Sequence, residues 1–340
     1  MIVDIVGAIL LAVLTLYAIL AGADFGGGLW DLLAGNAANG RAPRRLIDDT
    51  ITPVWESNHV WLVFALVVFW TAFPRAFAAV MVAAALPLWL SVLGIVLRGA
   101  GFAFRKEVEK LRWKRLLGAT FALSSLLTPF FIGTVVGAVV AGKIALNAEH
   151  STLTAWTNPT SILTGCLFVI VCAYEAAVFL LGEATTRRDP RLARYFRRRA
   201  AIAGAAAGAL SLADLLVLRS SDAALADRLT GRALPLVVVA GVCGIVVFAV
   251  LVTGRTRGLR VLSASGVAAV VWAWGVAQYP TLLPETGLTL SGSSAPHATL
   301  VAVIAVAVLA VALVVPGFFL LFFLHGRQLL ESDAASTEPL

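Results

Sequence analysis

Three strongly polar side chains, two of which can exchange protons, stand close together at the start of an apolar run. Glu56, Asn58 and His59 fall within one helical turn, and the segment that follows, residues 62–70, is apolar. A carboxylate, an amide and an imidazole are costly to keep at the boundary of a bilayer, so residues of this kind mark functional sites. Glu56 and His59 are three residues apart and share one helix face, which favours proton transfer as their function.

Two further carboxylates interrupt apolar segments. Asp24 ends the first segment, before three glycines at 26–28, and Glu175 lies well inside the fifth. A carboxyl group partly withdrawn from water exchanges its proton closer to neutral pH, which suits a relay. Structural interpretations stand beside this one. Asp24 can end a helix before a glycine turn, Glu56 can be an N-terminal helix charge after Pro53, and Glu175 can pair with a neighbouring helix or subunit.

Composition indicates that these groups belong to a membrane protein. Of the 340 residues, 60% are hydrophobic and 13% are charged, and the mean hydropathy is +0.93. Apolar blocks recur at about twenty residues, the length at which a helix crosses a hydrocarbon core of roughly 30 Å. The predicted fold is an all-α integral membrane protein with nine transmembrane helices. The predicted spans are residues 3–23, 53–72, 76–97, 117–141, 160–182, 200–218, 234–253, 260–280 and 299–323.

The basic residues orient these spans. With the N-terminus outside, all but five of the 26 Lys and Arg residues lie in or beside the inner loops or in the tail. The positive-inside rule therefore predicts an outside N-terminus and a cytoplasmic C-terminus. We expect residues 1–326 to form a single polytopic domain and the polar tail 327–340 to be disordered. The net charge of +7 reflects these loops against anionic headgroups and does not indicate nucleic-acid binding. The inner loops are 24–52, 98–116, 183–199 and 254–259.

Residues that bind metals or haem are scarce. The chain has four histidines, of which only His59 falls in a predicted span, and two methionines, of which one is Met1. Haem iron takes His, Met, Cys or Tyr as axial ligand, so a multihaem centre inside this chain is not expected. The three cysteines lie in predicted spans without metal-ligand spacing and are interpreted as structural. No nucleotide-binding or hydrolase motif is present, so neither a metal site nor a catalytic residue is predicted.

Four short motifs carry a resemblance to a known family. They are GADFG (22–26), PVWESNHVW (53–61), FPR (73–75) and LRGAGFAFR (97–105), with a weaker match at QYP (278–280). By these motifs, and by the order of its spans, the chain resembles subunit II of the cytochrome bd-type quinol oxidases over nearly its whole length. Trp55, Trp61, Arg98 and Arg105 fall within the motifs and are interpreted as packing residues.

The resemblance implies one subunit of a heterodimeric terminal oxidase. In that family subunit I carries the haems b and d and the quinol-oxidising loop. Subunit II has a similar fold, with two four-helix bundles plus one peripheral helix, and binds no haem. We therefore expect no firmly bound cofactor in this chain, with a structural quinone as a candidate ligand. The expected partners are subunit I, membrane lipids and quinone in a bacterial inner membrane, with a small single-span accessory subunit as a further candidate.

The resemblance also implies a proton path. Glu56 matches the acidic position that the family is thought to use for a path from the cytoplasm, and Asp24, His59 and Asn58 are its neighbours. These four residues are the predicted proton-path residues of this chain.

Departures from the family pattern leave two interpretations open. Residues 21–24 read AGAD and retain only the second of the two aspartates usual there. Ala103 occupies a position that is often acidic, and Glu175 one that is commonly Gln or His. One hypothesis is that Glu175 and His59 compensate for the lost acids, with an interface role for Glu175 as the alternative. The other interpretation is a divergent branch of the family in which proton entry lies in subunit I.

The predicted function is that of a non-haem subunit of a quinol:oxygen oxidoreductase. It stabilises the haem subunit and contributes to a cytoplasmic proton path while the partner reduces oxygen to water. Two other functions remain in view. One is a structural scaffold whose polar motif satisfies an interface. The other is an autonomous secondary transporter with a midplane ion site, for which Glu175 is the one suitable carboxylate.

Overall fold

The computed structural model is almost entirely helical. It describes residues 1–35, 40–108, 111–146 and 153–326, and their side chains except those of 51–57, 102, 105–107, 111, 114–115, 315, 318–319 and 321–326. The helices are α1 (Ile2–Leu32), α2 (Arg41–Ala72), α3 (Pro74–Ala83), α4 (Ala85–Glu107), α5 (Leu111–Val140), α6 (Leu153–Trp156), α7 (Pro159–Thr186), α8 (Pro190–Ser221), α9 (Ala223–Thr230), α10 (Leu234–Thr253), α11 (Leu259–Gln278), α12 (Leu290–Ser293) and α13 (His297–Gly326). Two short strands, β1 (Thr281–Leu283) and β2 (Leu288–Thr289), pair antiparallel between α11 and α12.

Length and hydropathy identify the helices that can cross a membrane. In the described part of the chain, 7 helices qualify, or up to 8 if the bent pair α2–α3 is one span. The apolar part of α4, Ala85–Gly101, is shorter. An all-helical membrane protein is therefore confirmed. The count of nine spans, the two bundles, the orientation and the single-domain boundary at 326 stay predictions, and the tail 327–340 lies outside the described residues. The seven helices are α1, α5, α7, α8, α10, α11 and α13.

Helices α1 and α2 extend beyond the predicted spans. The sequence predicts a loop over 24–52, whereas α1 continues to Leu32 and α2 begins at Arg41. The interpretation that Asp24 ends a helix before a glycine turn is wrong, because residues 26–28 are helical. The interpretation of Glu56 as an N-terminal helix charge is also wrong, since α2 begins well before Pro53. Hydropathy marks only the apolar part of a helix and misses polar turns that continue it.

The glycines of α1 remain helical because another helix packs directly on them. A Cβ atom at Gly26 would overlap the backbone carbonyl of Cys172 in α7 and lie 2.7 Å from the Cβ of Ala176. Small residues let transmembrane helices approach closely, and the packing offsets the low helix propensity of glycine. The close contact fixes α1 against α7, and α1 also packs on α2, α5, α11 and α13.

The predicted span 76–97 is divided between two helices. The chain reverses at the fully buried Phe73, and Pro74 occupies the first turn of α3, which is bent by 118° from α2. Proline suits this position because its missing N–H needs no partner there. A second break follows at Ala84, with φ −106° and ψ 24°, before α4 begins. The predicted spans already separate at 73–75, whereas hydropathy does not reveal the second break, because the residues that flank Ala84 are all apolar.

Polar side chains cap the starts of both α7 and α8. Asn158 accepts a hydrogen bond from the Ser161 amide at 2.9 Å and starts α7. Asp189 accepts from the amides of Arg191 and Leu192 at 2.9 and 3.0 Å and starts α8. Side chains of this type satisfy amides that lack a partner at a helix start. The short 187–189 turn that results makes α7 and α8 neighbours.

The strand pair lies near the N-terminus of α1. The Tyr279 hydroxyl donates to Asp4 at 3.2 Å, and the Met1 ammonium lies 2.8 Å from the same carboxylate. The hydrogen bond to the Asp4 carboxylate raises the pKa of Tyr279. These contacts tie the start of the chain to the segment that follows α11.

Candidate functional site

A fully buried ion pair joins α1 to α4. The side chains of Asp24 and Arg98 are both 0% exposed, and Arg98 Nη2 lies 2.5 Å from Asp24 Oδ1. The same nitrogen donates to the backbone carbonyl of Asp24 at 2.8 Å. A charge this far from water is retained only when a partner compensates it, so each residue of the pair depends on the other. The pair therefore fixes α4 against α1 at the level of Asp24.

Aromatic rings and a hydroxyl enclose the Arg98 guanidinium. Its Nη1 donates to the Ser125 hydroxyl of α5, which donates in turn to the Phe121 carbonyl at 2.5 Å. Its central carbon lies 5.1 Å from the ring centre of Phe25 and 4.4 Å from that of Phe121. Ring faces attract cations, more strongly out of water. A Cβ at position 28 would lie 2.8 Å from Arg98 Nη1, so Gly28 leaves the space that the guanidinium occupies.

Asn58 brings α2 into the same cluster. Its side chain is fully buried, and its Nδ2 donates to Asp24 Oδ2 at 3.3 Å. Among the described residues, Asn58 Oδ1 and Arg98 Nε have no hydrogen-bond partner. Buried polar atoms are rarely left unsatisfied, so the cluster can bind a further polar group on two sides. The structure thus brings together Asp24 and Asn58, two of the predicted proton-path residues.

The other predicted site residues are placed less fully. His59 follows Asn58 on α2 and is half-buried. The side chains of Trp55, Glu56 and Arg105 lie outside the described residues, and their roles stay predictions. Trp61 is 8% exposed and packs in the core, where its ring centre lies 6.4 Å from that of Phe64 in an edge-on contact.

Glu175 occupies a second buried polar position, between α7 and α11. It is 6% exposed, and its Oε1 accepts a hydrogen bond from the Ser263 hydroxyl. A Cβ at Gly22 of α1 would lie 3.0 Å from the Glu175 Cβ, so α1 closes the site from the other side. The contact of Glu175 that the structure describes is therefore with a neighbouring helix of the same chain.

A third carboxylate lies nearer the other end of α7. Asp214 of α8 accepts a hydrogen bond from the Thr164 hydroxyl at 3.0 Å, and its second oxygen has no partner among the described residues. The contact is separate from both other sites, since Thr164 and Glu175 are about 16 Å apart along α7 at 1.5 Å per residue.

Sequence reasoning missed the central role of Arg98 and did not find Ser125 or Ser263. Arg98 carried no clear signal, because it begins the predicted loop 98–116, where a basic residue is ordinarily exposed. The two serines carried none, since hydroxyl groups are common in transmembrane helices and usually bond their own backbone.

The described residues contain no group of three or more His, Cys, Asp or Glu side chains that could hold a metal ion. The three cysteines are free thiols, and of them Cys172 is buried.

Fold and site together define a multi-pass helical membrane protein with polar and charged groups buried between its helices. The family model of the cytochrome bd terminal oxidase subunit II matches residues 2–325, and the chain belongs to this family of bacterial membrane proteins. The resemblance stated from the motifs is therefore confirmed.

Relatives and a solved structure agree with this membership. The chain is 29% identical over 176 residues to "Cytochrome bd ubiquinol oxidase subunit 2" of Bacillus subtilis (strain 168), covering 51% of each chain. It is 25% identical over 171 residues to "Cytochrome bd-I ubiquinol oxidase subunit 2" of Escherichia coli (strain K12), covering 48% of this chain and 44% of that one. The matched region thus spans about half the length of these curated relatives. The fold matches a chain of the bd oxidase from Geobacillus thermodenitrificans with a TM-score of 0.76 at 22% identity, over 96% of this chain and 99% of that one.

Proposed function

We propose that this chain is the non-haem subunit II of a quinol:oxygen oxidoreductase, in which it stabilises a haem-bearing subunit I. The observation that carries the proposal is the family match over residues 2–325. The names of the B. subtilis and E. coli relatives, both ubiquinol oxidase subunits, support it. Quinol oxidation and oxygen reduction then take place in the partner, which holds haems b and d. The scarcity of haem ligands in this sequence agrees with that division.

The proposal includes a contribution to a proton path from the cytoplasm. Glu56 is the relay carboxylate, and His59, three residues further on α2, is its neighbour. Asn58 orients a side chain or water through its Oδ1, which has no partner among the described residues, while Asp24, paired with Arg98, lies beside it. Reduction of oxygen consumes protons. A chain of hydrogen-bonding groups that leads from the cytoplasmic surface into the protein can supply them.

A structural scaffold is the second candidate function. The buried Asp24–Arg98 pair favours it, because an ion pair of this kind fixes two helices without exchanging protons. Membrane lipids, a structural quinone and a small accessory subunit remain candidate partners, and no described residue is assigned to them.

Purification through a tag on this chain tests both parts of the proposal. We expect the absorption bands of haems b and d in a larger polypeptide that co-purifies with the tagged chain. We expect Glu56→Gln to preserve those bands and to slow quinol oxidation about tenfold, because a relay carboxyl contributes strongly to proton transfer. Glu285→Gln, which changes an exposed carboxylate beside the strand pair, is the matched control and should keep full turnover.

The outcomes separate the candidates. A tagged chain that purifies without any haem protein contradicts the assignment as an oxidase subunit, and uptake of a solute by vesicles containing it supports a transporter. Normal turnover of Glu56→Gln between about pH 6 and about pH 8, with haem retained, excludes a relay function for Glu56. The structural scaffold is then the remaining candidate function.

A further inference from the structure

The buried carboxylates of this chain fall into two electrostatic classes. Asp24 has the Arg98 guanidinium at 2.5 Å, whereas Glu175 forms no ion pair among the described residues and accepts a hydrogen bond from the Ser263 hydroxyl. Burying an ionised carboxylate without a cation costs several kcal/mol, and such a group takes up a proton instead. Geometry therefore distinguishes Asp24, which has a cation beside its carboxyl group, from Glu175, which has none among the described residues.

Glu175 lies at the buried end of a line of polar groups between α7 and α11. Glu183 lies about 12 Å further along α7, at 1.5 Å per residue, and its side chain is 27% exposed. The loops at that end hold the basic residues that the positive-inside rule assigns to the cytoplasm. We call this line the α7–α11 seam; its residues are Glu175, Phe179 and Glu183 of α7 with Arg260 and Ser263 of α11.

Arg260 occupies the outer part of the seam. Its Nη2 donates to the Phe179 carbonyl at 2.8 Å and lies 3.5 Å from Glu183 Oε2, and its side chain is 43% exposed. A Cβ at Gly182 would lie 2.6 Å from Arg260 Nε, so the glycine lets the arginine lie across α7. Ser263 is three residues after Arg260 and shares its face of α11, which continues the line to Glu175.

The groups around Glu175 leave it as the acid best placed to exchange a proton at this site. Helix α8 packs on Tyr174 through Gly204, which offers no titratable side chain. Asp24 of α1 is already compensated by Arg98 of α4. The nearby titratable and charged groups are Cys172 and Tyr174 on α7, Tyr17 and Asp24 on α1, Cys243 on α10 and Arg260 on α11.

We propose that Glu175 is a proton-exchanging site of this chain, loaded from the cytoplasm along the α7–α11 seam. The inference rests on the proposed function, because the partner's reduction of oxygen is what draws protons inward. A proton from cytoplasmic water reaches the seam at Glu183 and passes to the Glu175 carboxylate. The Ser263 hydroxyl donates to that carboxylate while it is ionised and holds it in place. The neutral Glu175 acid then releases its proton toward the partner subunit, where the reduction of oxygen to water consumes it, and returns to the ionised form.

Glu175→Gln tests the site in the complex purified through this chain. The amide has nearly the same shape and cannot release a proton. We expect quinol oxidation to slow about tenfold with unchanged haem content, and the loss to increase as pH rises, because free protons become scarcer. We also expect redox difference infrared spectra to lose a carboxylic-acid C=O band in Glu175→Gln. In Ser263→Ala the same band should shift to higher frequency, since it loses a hydrogen bond.

Asp214→Asn is the matched control. Asp214 is another carboxyl held by a hydroxyl, but it bonds Thr164 and lies away from the seam. It should keep both the turnover and the infrared band. Glu183→Gln, at the exposed end of the α7–α11 seam, should slow turnover less than Glu175→Gln, because water still reaches that end of the seam.

Two results overturn the inference. One is a Glu175→Gln complex with normal haem content, an unchanged pH profile and an unchanged infrared band. The other is a loss of haem with unchanged turnover per haem, which indicates a structural role. The absorption spectrum of the wild-type complex tests the proposed function separately. A pH titration of the Glu175 infrared band does not depend on that function, because it needs only the purified chain.

Discussion

At the scale of single residues, Arg98 shows what sequence reasoning can and cannot supply. The sequence motif singles it out, but Arg98 begins the predicted loop 98–116, where a basic residue needs no buried partner. The sequence does not pair it with Asp24, because the two residues are separated by 74 positions. Asn58 was recognised from its motif, whereas Ser125 and Ser263 became visible only through contacts between helices.

We expect Arg98→Met to destabilise the complex strongly, because it leaves the Asp24 carboxylate buried without its cation. The loss should be about 3–5 kcal/mol, and Asp24→Asn should cost a similar amount for the reverse reason. The double variant should be more stable than either single one, since no uncompensated charge remains. The apparent melting temperature of the purified complex measures all three.

Arg187→Met is the control for the ion-pair series. It removes an ion pair with Asp49 in which the side chains are 41% and 42% exposed. A change of less than about 1 kcal/mol is expected there. If Arg98→Met matched this small effect, the Asp24–Arg98 pair would have no special role in stability.

At the scale of helices, the apolar centres could be predicted and the boundaries could not. Periods of about twenty apolar residues located the spans because lipid demands them. The polar ends of α1 and α2 were not predicted to be helical, because hydropathy does not distinguish a helix that leaves the membrane from a loop. The glycines at 26–28 indicate a turn by local propensity, and only the packing of α7 against Gly26 overrides it.

Gly26→Ala tests whether the packing of α7 against Gly26 keeps these glycines helical. An added methyl group must push α7 away from α1, and such overpacking should destabilise the complex by about 1–3 kcal/mol. Gly118→Ala is the matched control in α5, because a Cβ there meets no atom within 4 Å. Its effect should stay within about 1 kcal/mol. Equal melting temperatures for the two variants would argue against a close contact at Gly26.

At the scale of the whole molecule, composition was the strongest guide. Sixty per cent hydrophobic residues and the distribution of Lys and Arg led to a membrane protein with a preferred orientation. The fold agrees with a bd oxidase chain over 96% of this chain. Orientation is a property of the chain in its membrane, so it needs a measurement on intact cells.

Cysteine labelling provides that measurement. Asp227→Cys, in α9, should react with a membrane-impermeant maleimide in intact cells, because the segment between the predicted spans 200–218 and 234–253 is predicted to lie outside. Arg191→Cys, at the start of α8, should react only after the membrane is permeabilised, because the loop 183–199 is predicted to be cytoplasmic. Both parent side chains are exposed. The unmodified chain, with Cys166, Cys172 and Cys243, supplies the background, and labelling of Arg191→Cys in intact cells would reverse the orientation.

The separation of Asp24 from Arg98 also affects how the protein is made. The ribosome releases the aspartate 74 residues before its arginine, so the first helix reaches the translocon carrying an acid that has no counter-charge. Until α4 emerges, α1 has no cation to offset this acidic side chain, so we expect it to wait beside the translocon instead of diffusing into lipid. Biogenesis of this chain therefore favours retention of the first helices at the insertion site, and their joint release once the pair has formed.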